Sequence, residues 1–160
     1  MKATGYGQVT MRPAAKSDLA AVLALYAQPG MDDEVLPIAD AEAIFARMAS
    51  YPDYTLLVAE SDGRIVGTLA LLIMDNLGHL GAKSAVVEDV VVAPSLQGHG
   101  IGKIMMREAM QRAAAKRCYK MTLSSNMKRT PAHAFYEGLG FRHHGHSFWI
   151  DIDASAGEPR

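Results

Sequence analysis

The chain has 160 residues, 49% hydrophobic and 21% charged, which suits one soluble domain with a substantial core and leaves no room for a second full one. Sixteen basic and 17 acidic side chains leave a net charge of −1 with no basic tract, so binding driven by nucleic-acid phosphates has no electrostatic source and neither DNA nor RNA is expected as a partner. The single cysteine, Cys118, forms no intramolecular disulfide, and with no apolar run of about 18 residues and no charged-then-apolar leader at Met1, no membrane association is expected and the cytoplasm is the expected compartment.

In chain order, Val9 to Arg12 reads as a strand. Ser17 or Asp18 then caps a helix in which Leu19, Val22, Leu23 and Tyr26 form an apolar stripe. The polar segment from Gln28 to Ala39 follows, and Asp40 caps a second helix with Ala41, Ile44, Phe45 and Met48 on one face. Tyr54–Glu60 and Ile65–Met74 are strand-like and joined through Asp62-Gly63, a pair suited to the positive φ of a tight hairpin, so they should pair antiparallel. A loop from Asp75 precedes a central strand at Ser84–Ala93, then a long helix at Gly102–Arg117 buries Met105, Ala109 and Ala113. Met121–Ser124 and Phe148–Ile152 read as the last strands, with a helix from Thr130 between them. The domain spans residues 9–152 and residues 153–160 read as a flexible tail. This order gives a mixed α/β sheet with helices on its faces.

The run from Val86 to Lys103 carries the chemistry. A strand with two carboxylates leads through a Pro/Ser loop into the glycines Gly98, Gly100 and Gly102 at a helix start, where unpaired N–H groups and the helix dipole favour phosphate oxygens. A nucleotide-hydrolase loop fails here, because Gln97 stands at its opening glycine and Ile104 has no hydroxyl for Mg²⁺. A dinucleotide fingerprint fails because Lys103 replaces its third glycine and no βαβ unit opens the chain. What remains, Gln97-x-x-Gly100-x-Gly102 behind a valine-rich strand, resembles the pyrophosphate loop of the GCN5-related N-acetyltransferases. A second block agrees: Ala132, Phe135, Tyr136, Gly140 and Phe141 match that family's Ala-x-x-Phe/Leu-Tyr-x-x-x-Gly-Phe pattern, on a helix capped by Thr130 with Pro131 in its first turn.

The resemblance implies a mixed, mostly antiparallel twisted sheet with helices on both faces, whose central strands at Ser84–Ala93 and Met121–Ser124 splay apart to receive the pantetheine arm of acetyl-CoA. Backbone groups of Val90, Val91 and Val92 would bond the pantetheine amides. The N–H groups of Gln97, Gly98, His99, Gly100, Ile101, Gly102 and Lys103 would hold the pyrophosphate, with small residues at 98, 100 and 102 because a Cβ would block close approach. Tyr136 would stand near the coenzyme sulfur and protonate the leaving thiolate. Glu88 is the favoured base for the amine, Asp89 the second choice, and strand alternation sends the two to opposite faces, with Glu88 sharing its face with Val86, Val90 and Val92. Relatives carry an Asn seven residues before the tyrosine, where this chain has Arg129; Asn126 or Ser125 is the candidate replacement on the pantetheine arm, and Arg129 a candidate phosphate contact. The resemblance also suggests a homodimer formed through strand edges.

Other features are read structurally. His133 belongs on an outer helix face, Cys118 lacks a patterned base and is no nucleophile, and His143, His144 and His146 lack the spacing of a metal site, so no metal is expected. The acceptor, a small-molecule primary amine such as an aminosugar, polyamine or amino acid, would be shaped by Gln28–Ala39 and Asn76–Lys83. The competing reading is a non-catalytic module that senses acyl-CoA.

Overall fold

A computed structural model describes residues 7–152 of the chain. The tail expected at residues 153–160 lies outside the described residues. The described chain falls into two compact units that divide between Leu123 and Ser124. The first contains β1 (Thr10–Pro13), α1 (Leu19–Tyr26), α2 (Ile38–Met48), β2 (Tyr54–Ser61), β3 (Arg64–Met74), β4 (Lys83–Val92), α3 (Ile101–Ala115) and β5 (Cys118–Thr122). The second contains α4 (Thr130–Gly138).

The five strands form one sheet in the order β1-β2-β3-β4-β5, antiparallel at the first three junctions and parallel between β4 and β5. The β2–β3 hairpin turns on Asp62 (φ 50°) and Gly63 (φ 72°), the pair of left-handed residues its sequence promised. Alternation then assigns the faces. Leu56 and Val58 of β2 pack with Leu19 and Val22 of α1, and Phe45 and Met48 of α2 lean on this cluster. On the other face, α3 buries Ile101, Met105, Met106, Ala109 and Ala113, and a Cβ at Gly67 of β3 would lie 2.6 Å from Met105 Sδ. Each fully buried Leu or Met of these layers contributes about 1.5–3 kcal/mol, so the sandwich of sheet between helices is the dominant stabilising feature. Arg12 ties the first strand in: its guanidinium grips Asp18 bidentately at 2.6 and 3.0 Å and reaches Glu60 at 2.9 Å.

The β4–β5 ladder runs from Lys83↔Cys118 only as far as Val86↔Thr122. Beyond Val86 the β5-facing edge of β4 has no ladder partner among the described residues, which is the splay expected of the central strands.

Several boundaries differ from expectation. Asp18 caps α1 without a side-chain bond, because a 3₁₀ turn at Lys16–Asp18 intervenes and its carboxylate accepts instead from Ala15 N–H and Arg12. The second helix opens after Pro37, whose ψ of 138° makes the entry, so Asp40 lies in the first turn where its charge suits the dipole. Thr130 is the first helical residue of α4 and Arg129 the cap. The long helix begins at Ile101 because left-handed Gly100 ends the loop there. The following strand is Cys118–Thr122 rather than Met121–Ser124: Arg117, at φ 60°, reverses the chain immediately after α3. No strand forms at Phe148–Ile152, where only an isolated bridge at Ile152 is found. Alternating apolar residues give strand propensity, but a strand exists only with a ladder partner.

Candidate functional site

At the open end of β4, Ala93 N–H donates to Val66 O at 2.8 Å and a 3₁₀ turn at Pro94–Leu96 leads into the glycine loop. Gly98 (φ 78°) and Gly100 (φ 88°) are both left-handed, a conformation that penalises any side chain. A Cβ at either would meet nothing within 4 Å, so within the protein it is backbone conformation, not crowding, that calls for glycine there. The first intrahelical bond of α3 runs from Ile104 N–H to Gly100 O at 3.2 Å. The N–H groups of Ile101, Gly102 and Lys103 therefore have no acceptor within the helix, at the positive end of a 15-residue dipole. Gln97 braces the loop: its N–H reaches Pro94 O at 3.4 Å, and its side-chain amide donates to Val92 O at 3.1 Å and to Gln28 Oε1 at 3.3 Å. His99 Nδ1 lies 2.9 Å from Gln97 O. Of the expected donors, the Gln97 N–H is thus engaged inside the turn, and of the expected pantetheine partners, the Val92 carbonyl already accepts from Gln97.

The two carboxylates of β4 are not on opposite faces. Ala70 stands opposite Glu88 and Thr68 opposite Val91, so Asp89 and Val90 together span the single residue Leu69. This is a β-bulge, with Asp89 at φ 52°. The extra residue breaks the alternation, and Glu88 shares its face with Val86 and Val91 rather than with Val90 and Val92. Both carboxylates act on the phenol of Tyr54, and Asp89 also on Tyr26. Tyr26 packs on the α1/α2 cluster, and Tyr54 has the parity of Leu56 and Val58 in β2. Burial, then Asp89, raises the Glu88 carboxyl above its ordinary range, and burial, then Asp32, raises Asp89. Burial and the Asp89 charge push Tyr26 up to about 12, and the same causes with Glu88 raise Tyr54. The result is a group of carboxylates poised to accept a proton beside phenols that keep theirs.

In the second unit, Tyr136 lies on α4 with its ring 5.1 Å from Phe135 and 5.9 Å from Phe141. Burial raises its phenol, partly offset by Arg129, so it keeps its proton at neutral pH. Phe141 N–H closes the helix end on Tyr136 O at 3.1 Å. Asn126 Oδ1 accepts from Lys128 N–H at 2.9 Å, and Asn126 O accepts from Arg129 N–H at 2.9 Å, so the turn before α4 is built on Asn126. His133 Nε2 lies 2.9 Å from Asn126 O. Ser125 Oγ is buried and finds no partner among the described residues.

Burial raises the Cys118 thiol, opposite to what a nucleophile needs. His143 faces Glu137 at 2.8 Å, and no group of three metal-ligating side chains occurs among the described residues. No helix among them is long and apolar enough to cross a membrane. Sequence reasoning missed Tyr26 and Tyr54 as neighbours of Glu88 and Asp89. They read as stripe and strand residues, and only the bulge, which the sequence of the ten-residue β4 does not reveal, turns Asp89 toward them.

Comparison with known proteins identifies the family and the fold. Over 90 residues, 56% of the chain, it is 40% identical to a glucosamine 6-phosphate N-acetyltransferase of Trypanosoma brucei brucei, of which the match covers 59%. The chain thus spans less than two thirds of the length of that curated relative. Among solved structures, a putative acetyltransferase from Agrobacterium tumefaciens superposes with a TM-score of 0.84 at 34% identity, covering 89% of this chain and 99% of that one. A transcriptional regulator from Bacillus halodurans superposes with a TM-score of 0.83 at 27% identity, covering 91% and 100%. The model of the acetyltransferase (GNAT) family matches residues 17–141, and with the loop, bulge and tyrosine block in place, the chain belongs to the GNAT acetyltransferase family.

Proposed function

We propose that the protein transfers the acetyl group of acetyl-CoA to a small-molecule primary amine by direct attack in a ternary complex, within a single catalytic domain spanning residues 9–152. The observation that carries this is the loop at Gly98–Gly100, whose two left-handed residues deliver the first-turn N–H groups of α3 at the open end of β4. Those amides, from Gly98 to Lys103, suit the diphosphate of acetyl-CoA, and the unpaired β4 edge around Val90 and Val91 suits its pantetheine amides. Acetyl-CoA supplies the activated acyl group; the rest is proton handling by the chain. An amine with a pKa of about 10 is protonated at neutral pH and must lose that proton before attack. Glu88, with its raised carboxyl, accepts it directly or through water, and Asp89 beside it is the second candidate. Tyr136 gives its proton to the departing thiolate. Asn126 or Ser125 takes the place of the family's pantetheine-contacting Asn, and Arg129 contacts a phosphate. No metal takes part, the partners include no nucleic acid or membrane, and the protein works in the cytoplasm as a homodimer.

The acceptor class stays at primary amines. The relative that acts on glucosamine 6-phosphate supports an aminosugar, beside polyamines and amino acids. Likeness to a structure described as a transcriptional regulator favours a second reading, a non-catalytic acyl-CoA sensor. Release of free coenzyme A thiol across an amine panel separates the two. The enzyme gives amine-dependent thiol release, a sensor binds acetyl-CoA without it, and a chain that does not bind acetyl-CoA is neither.

A further inference from the structure

The glycine loop and the segment expected to shape the acceptor pocket meet through the side chains of Gln97 and Gln28, and Gln28 has no part in the chemistry proposed above. It opens that segment directly after α1 and its cap Ala27. The last turn of α1 leaves carbonyls without a donor inside the helix, and each must find one outside it. Leu23 O accepts from Ala27 N–H at 3.1 Å and Tyr26 O from Asp32 N–H at 3.1 Å. Leu25 O is taken by the half-buried Gln28 side chain, whose Nε2 donates to it at 2.6 Å. That bond fixes which way the amide points, so Oε1 faces Gln97 and accepts from its Nε2 at 3.3 Å. The backbone of Gln28 is anchored too, because its carbonyl accepts from Met31 N–H at 3.1 Å. Gln97 stands immediately before left-handed Gly98 and directs its other amide hydrogen to Val92 O at 3.1 Å. One side chain therefore ties the turn between β4 and α3 both to the end of its own strand and to the end of α1. The bonds run in one sense, Gln97 to Gln28 to Leu25, so each polarises the next. A loop that offers several N–H groups to one diphosphate binds it better when its shape is already set.

We infer that Gln28 is a positioning residue: through Gln97 it sets the shape of the loop from Gly98 to Lys103, and it joins that loop to the segment Gln28–Ala39. What the loop holds rests on the acetyl-transfer reading above; the bracing itself does not. An acceptor that shifts Gln28 changes coenzyme affinity, and the coenzyme changes acceptor affinity by the same factor.

The test is calorimetry of the full chain with acetyl-CoA. Gln28→Met keeps the length of the side chain and removes both of its hydrogen bonds. Its Kd should rise about 3–10-fold, the span of a net hydrogen bond. In a Gln97→Met background the same substitution should add less than about 2-fold, because the relay is already broken. A Gln28 that only supports the fold would instead lower Tm and weaken binding equally in both backgrounds. Equal losses, or a change under about 2-fold in the otherwise wild-type chain, overturn the inference. A wild type that binds no acetyl-CoA overturns the acetyl-transfer reading, and the bracing is then decided without ligand. The amide NMR resonances of Gly98 and Gly100 should move in Gln28→Met and stay in place when Gln97→Met is already present. Resonances that do not move in Gln28→Met overturn the bracing as well.

Discussion

Glu88 and Asp89, neighbours in sequence, both act on Tyr54 from the α1/α2 face of the sheet, because the bulge opposite Leu69 inserts one residue and cancels the alternation that would separate them. Burial with the Asp89 charge favours the protonated form of Glu88, and burial with the Asp32 charge favours that of Asp89. A base whose affinity for protons is raised in this way is suited to an ammonium substrate. The same crowding weakens the resting protein.

Glu88→Gln tests both consequences. If Glu88 is the base, turnover falls by roughly 10²–10⁴-fold, the range for general acid–base catalysis, and the residual pH–rate profile moves toward higher pH, where more of the amine is already neutral. An unmoved profile transfers the role to Asp89 or water. The stability effect has a fixed sign. The folded-state values of Glu88 and Asp89 lie above the ordinary 4.5 and 3.8, so their favourable contribution is complete below those values and is lost as pH rises through the raised ones. Glu88→Gln and Asp89→Asn should therefore raise Tm at pH 7, and the gain should vanish below about pH 4, as thermal unfolding across pH would show.

Tyr136→Phe removes one proton and keeps the ring contacts with Phe135 and Phe141. Turnover should drop at least roughly 10-fold while acetyl-CoA affinity by calorimetry stays within about 2-fold. An unchanged rate takes Tyr136 out of the chemistry.

The loop was legible because glycine spacing and helix periodicity are local properties: Gly98, Gly100 and the buried face of α3 are where their sequence pattern places them. So was the hairpin at Asp62-Gly63. What was not legible depends on partners distant in sequence. The bulge at Asp89 is a mismatch between β3 and β4, and no residue in β4 announces it. Strand formation at Phe148–Ile152 requires an edge to pair with, which alternation cannot supply. Asp18 has the composition of a helix cap, but Arg12 competes for its carboxylate with a bidentate ion pair, and the stronger interaction wins.

Gly100→Val should abolish acetyl-CoA binding in a folded domain. The left-handed φ costs a β-branched residue about 1–3 kcal/mol, and a Cβ there finds open space, so relief comes through reshaping the loop rather than through unfolding the core. Calorimetry showing wild-type affinity in a variant with native circular dichroism contradicts the assigned loop.

Arg12→Ala should destabilise the fold by about 1.5–3 kcal/mol, since it removes charge-assisted bonds to Asp18 and Glu60, and Asp18 is left 8% exposed without its partner. The partial exposure of Arg12 places the effect toward the lower end. Arg12 holds Asp18 below its ordinary 3.8, so this contribution is present above that value and lost as pH falls through the lowered one. The stability difference between wild type and variant should therefore shrink on acidification below about pH 4, and a constant difference would mean that packing, not charge, sets it.

Gly67→Ala probes the contact between sheet and long helix. The new methyl would sit 2.6 Å from Met105 Sδ and 3.1 Å from Val91 O. The sulfur belongs to a flexible chain, but Met105 is fully buried, and the carbonyl belongs to the strand that carries the bulge. Overpacking of this kind costs about 1–3 kcal/mol. The strain falls on Val91, two residues from Asp89, so the variant should lose acetyl-CoA affinity along with stability. Gly67→Ala/Met105→Ala should recover the affinity through the added room even though its Tm stays low. Failure of the second substitution to restore binding would show that β4 geometry does not depend on the fit of α3 against Gly67.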